Sequence, residues 1–159
     1  MNTKNIELTT AEVVNLVSFF NQENENQKTN DKAFFNTLPN LMLWKLRRNI
    51  KTLEPTAQEF ESMKDSMQSD IQIKWFDEEH SDPVEEEGQE NVRRIKPEYL
   101  DEYQKVIAEA NAKLNEVLDE KETYTIQTMD MNTEIENCIE NIDSKDFDKI
   151  EMLMFMDNE

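Results

Sequence analysis

The chain has 159 residues and a formal net charge of −19, which leaves room for one domain with a modest core and opposes nonspecific contact with nucleic acid or anionic lipid, both of which need clustered Lys and Arg. One Gly and four Pro are too few for the tight turns of an all-β sandwich or barrel. With 33% charged and 36% hydrophobic residues, the surface is large relative to the core, and a mainly α fold with a small β component (α+β) is expected.

Residues 5–8, NIEL, form a short candidate strand leading into TTAEVVNLVSFF. Thr9 and Glu12 have capping-box spacing, and Leu8 and Val13 stand at the hydrophobic-staple positions that set how a chain enters a helix. Val13, Leu16, Val17 and Phe20 give that helix its apolar face. NQENENQKTN, residues 21–30, carries no apolar residue, so the helix is expected to stop near Asn21 and give way to a polar connector.

Apolar spacing returns with Phe34, Phe35, Leu38, Met42, Leu46, Ile50 and Leu53, at steps of three and four. Residues 33–37 suit a separate turn, with Pro39 in the first turn of the main helix. Leu41, Leu43 and Trp44 widen the apolar arc and suggest burial on more than one side. The periodicity continues through Ala57, Phe60, Met63 and Met67, so Pro55 marks a kink or a new start within helical structure. Ile71, Ile73 and Trp75 then alternate with polar residues, the period of a strand over residues 71–76.

Residues 77–90 hold eight acids and no Lys or Arg, together with Pro83 and Gly88, and suit a solvated loop. NVRRI leads into residues 95–120, IKPEYLDEYQKVIAEANAKLNEVLDE, the most regular helical stretch of the chain. Its Leu100, Tyr103, Val106, Ile107, Ala110, Leu114, Val117 and Leu118 make one stripe. Pro97 fits the first turn and Glu98, Asp101 and Glu102 favour the helix N-terminus.

A long antiparallel hairpin follows, residues 31–120, with its acidic tip at 77–90 and the stripe used internally against residues 38–67 and the rest of the fold. ETYTIQTM has period two and is the strongest strand candidate, able to pair with NIEL. Thr133 and Glu136 repeat the capping-box spacing, and Asp143 or Ser144 can cap a last helix carrying Phe147, Ile150, Leu153 and Met154. Residues 1–20 and 121–159 are expected to form a small α+β head, so that residues 1–159 make a single domain.

The sites are few. His80 with Asp77, Glu78, Glu79 and Asp82 offers oxygen and imidazole donors. The run lacks the ordered spacing and mid-loop glycine of a calcium loop, so no metal is assigned and a solvated tip is expected. Cys138, between Ile135 and Ile139, reads as a buried structural thiol, and a single cysteine agrees with a reducing site of synthesis. Neither a nucleophile–base set nor a glycine-rich phosphate loop can be assembled, so no catalytic residue and no cofactor are assigned and a non-enzymatic role is expected.

Candidate partner-binding residues are the acids of the tip, Asp77, Glu78, Glu79, Asp82, Glu85, Glu86 and Glu87, and the adaptable terminal group Met152, Met154, Phe155 and Met156. Lys45, Arg47, Arg48 and Lys51, with Arg93, Arg94 and Lys96, are expected to answer acids such as Glu102 or Glu109 across the hairpin, with no aromatic platform for a nucleic acid.

IELTTAEVVNLVSFF, the basic-flecked KLRRNIKTL, an acidic interruption, PEYLDEYQKVIAEANAKLNEVL, the strand YTIQTM and a short terminal helix together resemble a family of small uncharacterised proteins encoded by tailed bacteriophages and prophages. The resemblance is one of pattern, over nearly the whole chain, and carries no site residues with it. It implies a phage accessory protein, virion-associated or assembly-related, acting through protein–protein contacts. The expected partner is another protein, either a phage structural protein or a basic host protein. Direct binding of nucleic acid or membrane is not expected, and association into a homo-oligomer is open.

The alternative is an acidic DNA mimic that inhibits a host nuclease or defence protein by covering its cationic groove. Lys4, Glu7 and Glu12 interrupt any leader-like apolar region, and apolar runs such as residues 41–44 are far too short to span a bilayer. Host cytoplasm or the virion is the expected location.

Overall fold

A computed structural model describes residues 3–30, 34–85, 88 and 92–129. The fold is mainly α with a small β component. In chain order it has strand β1 (Thr3–Thr9), helix α1 (Thr10–Thr29), a 3₁₀ turn at Phe34–Thr37, helix α2 (Asn40–Trp75), strands β2 (Ser81–Pro83) and β3 (Arg93–Ile95), a 3₁₀ turn at Pro97–Tyr99, helix α3 (Leu100–Leu118) and strand β4 (Lys121–Gln127). Two compact units emerge, one of residues 1–58 and 120–159, the other of residues 59–119. The terminal helices expected after residue 130, with Cys138 and the Met-rich group, lie outside the described residues.

The first unit forms where the sequence gives clear start signals. Glu12 N–H donates to Thr9 Oγ1 at 3.1 Å and Thr9 N–H to Glu12 Oε1 at 3.2 Å, the reciprocal capping box. Leu8 and Val13 of the staple are both buried. β1 and β4 pair antiparallel with Ile6 opposite Tyr124 and Thr9 opposite Lys121, as the NIEL and TYTIQ patterns require. Their alternation turns Leu8, Tyr124 and Ile126 inward. Leu8 and Tyr124 join Val13, Leu16, Val17 and Phe20 of α1 and Met42, Leu46, Ile50, Leu53 and Ala57 of α2 in one core. Phe35, in the expected turn, closes it against Phe20 with ring centroids 4.8 Å apart.

Helix α1 does not stop at Asn21; it runs to Thr29. The polar stretch has no Gly or Pro to break it, and Gln, Glu and Lys propagate a helix once it is nucleated. Tertiary bonds hold this extension, because Arg47 donates to Asn24 Oδ1 at 3.3 Å and to Gln27 Oε1 at 2.8 Å. Asn36 Nδ2 donates to the carbonyls of Gln27 (3.2 Å) and Asn30 (2.9 Å), groups that a helix end leaves without partners.

Helix α2 passes through Pro55 without interruption. Proline there removes the bond to the Lys51 carbonyl, and both residues are exposed, so water can satisfy the orphaned group. The expected strand at 71–76 is helical to Trp75. Met67, Ile71 and Trp75 keep the four-residue spacing of the helix already under way, and Ile73, the residue that suggested alternation, is 74% exposed. The wide apolar arc of the early helix is not buried all round either. Leu43 is buried, whereas Leu41 and Trp44 are exposed.

In the second unit, residues 59–75 of α2 and helix α3 are connected through the β2–β3 ribbon. Trp75 and Phe76 both meet Tyr103 edge to face, at 6.0 Å and 5.8 Å between centroids. The acidic stretch is therefore partly structured: Ser81 pairs with Ile95 and Pro83 with Arg93. NVRRI is a strand rather than the start of the helix, which begins at Leu100 after the Pro97 turn.

Candidate functional site

Three surfaces have enough geometry to be weighed. At the end of α2, the Asp77 carbonyl accepts from Ser81 N–H at 3.1 Å, from Ser81 Oγ and from an Arg93 guanidinium nitrogen at 3.2 Å. Arg93 also reaches Ser81 Oγ at 2.7 Å and Ser81 O at 2.8 Å. A guanidinium fork thereby closes the turn that ends the helix.

Asp77 Oδ1 accepts the His80 N–H at 2.8 Å and lies 2.8 Å from His80 Nδ1, a contact that places a proton on Nδ1. The backbone N–H of His80, then its ring, hold the Asp77 carboxyl below the ordinary aspartate range against an opposing desolvation. The His80 ring packs on Trp75 at 5.1 Å and Tyr99 at 4.8 Å.

Of the donors named around the tip, Asp77, Glu79 and His80 bring ligand atoms within 4.8 Å of one another. Hydrogen bonding within the turn accounts for the Asp77–His80 contact. Glu78 and Glu79 are exposed on the turn, Asp82 is exposed on β2, and Glu85 is exposed beyond it. Glu86, Glu87, Met152, Met154, Phe155 and Met156 lie outside the described residues. Arg93 is occupied by the turn, and within the second unit no ion pair from Arg93, Arg94 or Lys96 to Glu102 or Glu109 is formed among the described residues. Lys45 donates to the Thr128 carbonyl at 2.9 Å.

The second surface is the stripe of α3. Its spacing is as regular as the sequence indicates, yet no residue of the helix is buried. Leu100 is 41% exposed, and Tyr103, Val106, Ile107, Ala110, Leu114, Val117 and Leu118 are half-buried. The stripe is covered in part rather than sealed; along α2, Met63, Met67 and Ile71 are likewise half-buried, and Phe60 is the one buried residue between Glu59 and Ile71.

A third surface was not assembled from the sequence. Trp44, Arg48, Asn49, Lys51 and Thr52 of α2 and Thr125 and Gln127 of β4 line a groove of about 510 Å³ in the first unit. The Arg48 guanidinium lies 4.7 Å from the Trp44 ring centroid, so an aromatic does accompany the basic cluster. Spacing could have shown Trp44 and Arg48 one turn apart; nothing local could place β4 beside them.

No helix among the described residues is long and apolar enough to cross a membrane. No protein-family model, curated protein or solved structure matches the chain.

Proposed function

We propose that this protein is a non-enzymatic phage accessory protein, virion-associated or acting in assembly, that works by presenting helical surface to another protein. The observation that supports this reading is the α3 stripe, an eight-residue apolar face none of which is buried. An amphipathic helix gains its stability from covering that face, and a face left half-open is suited to a helix-in-groove or helix-on-helix partner. Mass spectrometry of purified particles and assembly intermediates from infected cells tests it. The wild-type chain is expected there and an Ile107→Glu/Leu114→Glu variant is expected to be lost, with helical content unchanged. Absence of the wild-type chain from particles and from every intermediate removes the proposal.

A second reading is the acidic DNA mimic, favoured by one observation. Glu59, Glu61, Asp65 and Asp70 on α2 and Asp101, Glu102, Glu109 and Glu116 on α3 are all exposed, and none is in an ion pair among the described residues. Such a surface would act on a basic host protein through long-range attraction. Binding that holds its strength between low and high salt would count against mimicry.

A further inference from the structure

Among the described residues the sheet of the first unit has two strands and ends on β4, and the bonding of that strand shows which of its groups face outward. Thr10 N–H donates to the Glu120 carbonyl at 2.9 Å, so Glu120 belongs to a hydrogen-bonded antiparallel pair. Alternation then assigns the even-numbered residues of β4 to β1 and turns the N–H and C=O of Lys121, Thr123, Thr125 and Gln127 away from it.

Gln127 confirms this independently. Its N–H donates to Asn49 Oδ1 at 2.8 Å and its carbonyl accepts from Asn49 Nδ2 at 2.9 Å. The side-chain amide of Asn49, 1% exposed, does what one residue of a third strand would do, and it does so only at the end of β4. Among the described residues nothing pairs with the outward groups of Thr123 and Thr125. An open edge of this kind templates strand addition.

Beside that edge lies the groove bounded by Arg48, Lys51, Thr52 and Trp44. Arg48 and Lys51 are exposed, and neither is in an ion pair among the described residues. Among the described residues no acid lines the groove, in a chain whose net charge is −19. That local reversal of sign selects the occupant. Strand pairing of β4 with β4 of a second copy would bring two Arg48/Lys51 pairs onto one groove, which charge disfavours.

We infer that the β4 edge and the Arg48/Lys51 groove bind an extended acidic segment of another polypeptide as an added third strand. Asn49 acts as the stop that limits pairing to residues 121–125, roughly 17 Å of strand at about 3.4 Å per residue. Backbone bonds supply the affinity and carboxylates on one face, set against Arg48 and Lys51, supply the selection. This surface shares no residue with α3, so its failure and the failure of the accessory-protein reading are independent results.

The test uses the full chain and a fluorescein-labelled heptapeptide of alternating glutamate and valine. Saturable binding is expected, with altered shifts and slowed exchange at the Thr123 and Thr125 amides. An Arg48→Glu/Lys51→Glu variant, changed only at exposed positions, is expected to weaken binding roughly tenfold or more, with an unchanged circular dichroism spectrum. N-methylation of the peptide amides on one edge is expected to abolish binding, and on the opposite edge to leave it intact.

Equal binding of a lysine/valine heptapeptide overturns the inference, as does full binding by both methylated peptides. So does binding of an oligothymidylate with the acidic peptide silent, or the absence of any binding. Protection of Thr123 and Thr125 that grows with protein concentration, without peptide, would assign the edge to a second copy and overturn it equally.

Discussion

Asn49 is one of the few buried polar residues of the first unit, and both ends of its amide are committed to the backbone of Gln127. Asn49→Ala leaves a donor and an acceptor of β4 without these partners, so a loss of about 1–3 kcal/mol is expected, read from the urea midpoint at constant slope. Asp77 yields a different kind of prediction. Its folded pKa lies below the unfolded value because the His80 N–H and ring favour the carboxylate. The stabilisation is therefore complete above the unfolded value, about 3.9, and is lost as pH falls through the folded one. Urea midpoints between pH 5 and pH 2 should fall more steeply for the wild type than for Asp77→Asn, so the gap between them closes toward low pH. A constant gap would remove the assignment. Asp77 was visible in the sequence only as one of a run of acids. That its carbonyl also anchors the turn depends on Arg93, sixteen positions away along the chain.

At the scale of elements, the start of α1 was legible and its end was not. Thr9, Glu12, Leu8 and Val13 act within one turn of one another, so local spacing suffices to announce α1. Its end depends on Arg47 and Asn36 reaching back from elsewhere, which no local pattern contains. The 71–76 stretch failed for a related reason: two isoleucines and a tryptophan at alternate positions satisfy a strand, while Met67, Ile71 and Trp75 equally satisfy a helix. With no breaker after Pro55, continuing the existing helix costs less than nucleating a new element. Ile73→Lys should accordingly change stability by no more than about 0.5 kcal/mol. Leu53→Ala, at a fully buried position of the same helix, should cost about 2–5 kcal/mol. Chemical denaturation of the pair checks both, and a large loss for Ile73→Lys would contradict its exposure.

At the scale of the whole molecule, a net charge of −19 destabilises the folded chain by self-repulsion that salt screens. The melting temperature is expected to rise between 10 mM and 500 mM NaCl, with each kcal/mol gained worth roughly 2–4 °C in a chain of this length. A melting temperature that falls would mean that attractive pairs outweigh repulsion. Composition, the scarcity of glycine and the three- and four-residue spacing determined that this chain is mainly helical, and period-two patterning marked the β1 and β4 strands as a pair, because these follow from short-range periodicity; the β2–β3 ribbon, whose strands are three residues each, left no such pattern. Only the tertiary structure decided how much of each apolar face is covered. The stripe of α3 has the same spacing whether it is sealed or half-open, and its exposure depends on what packs against it. The juxtaposition of Trp44, Arg48 and Lys51 with the β4 edge is of the same kind, since it joins residues more than seventy positions apart by packing that no local pattern encodes.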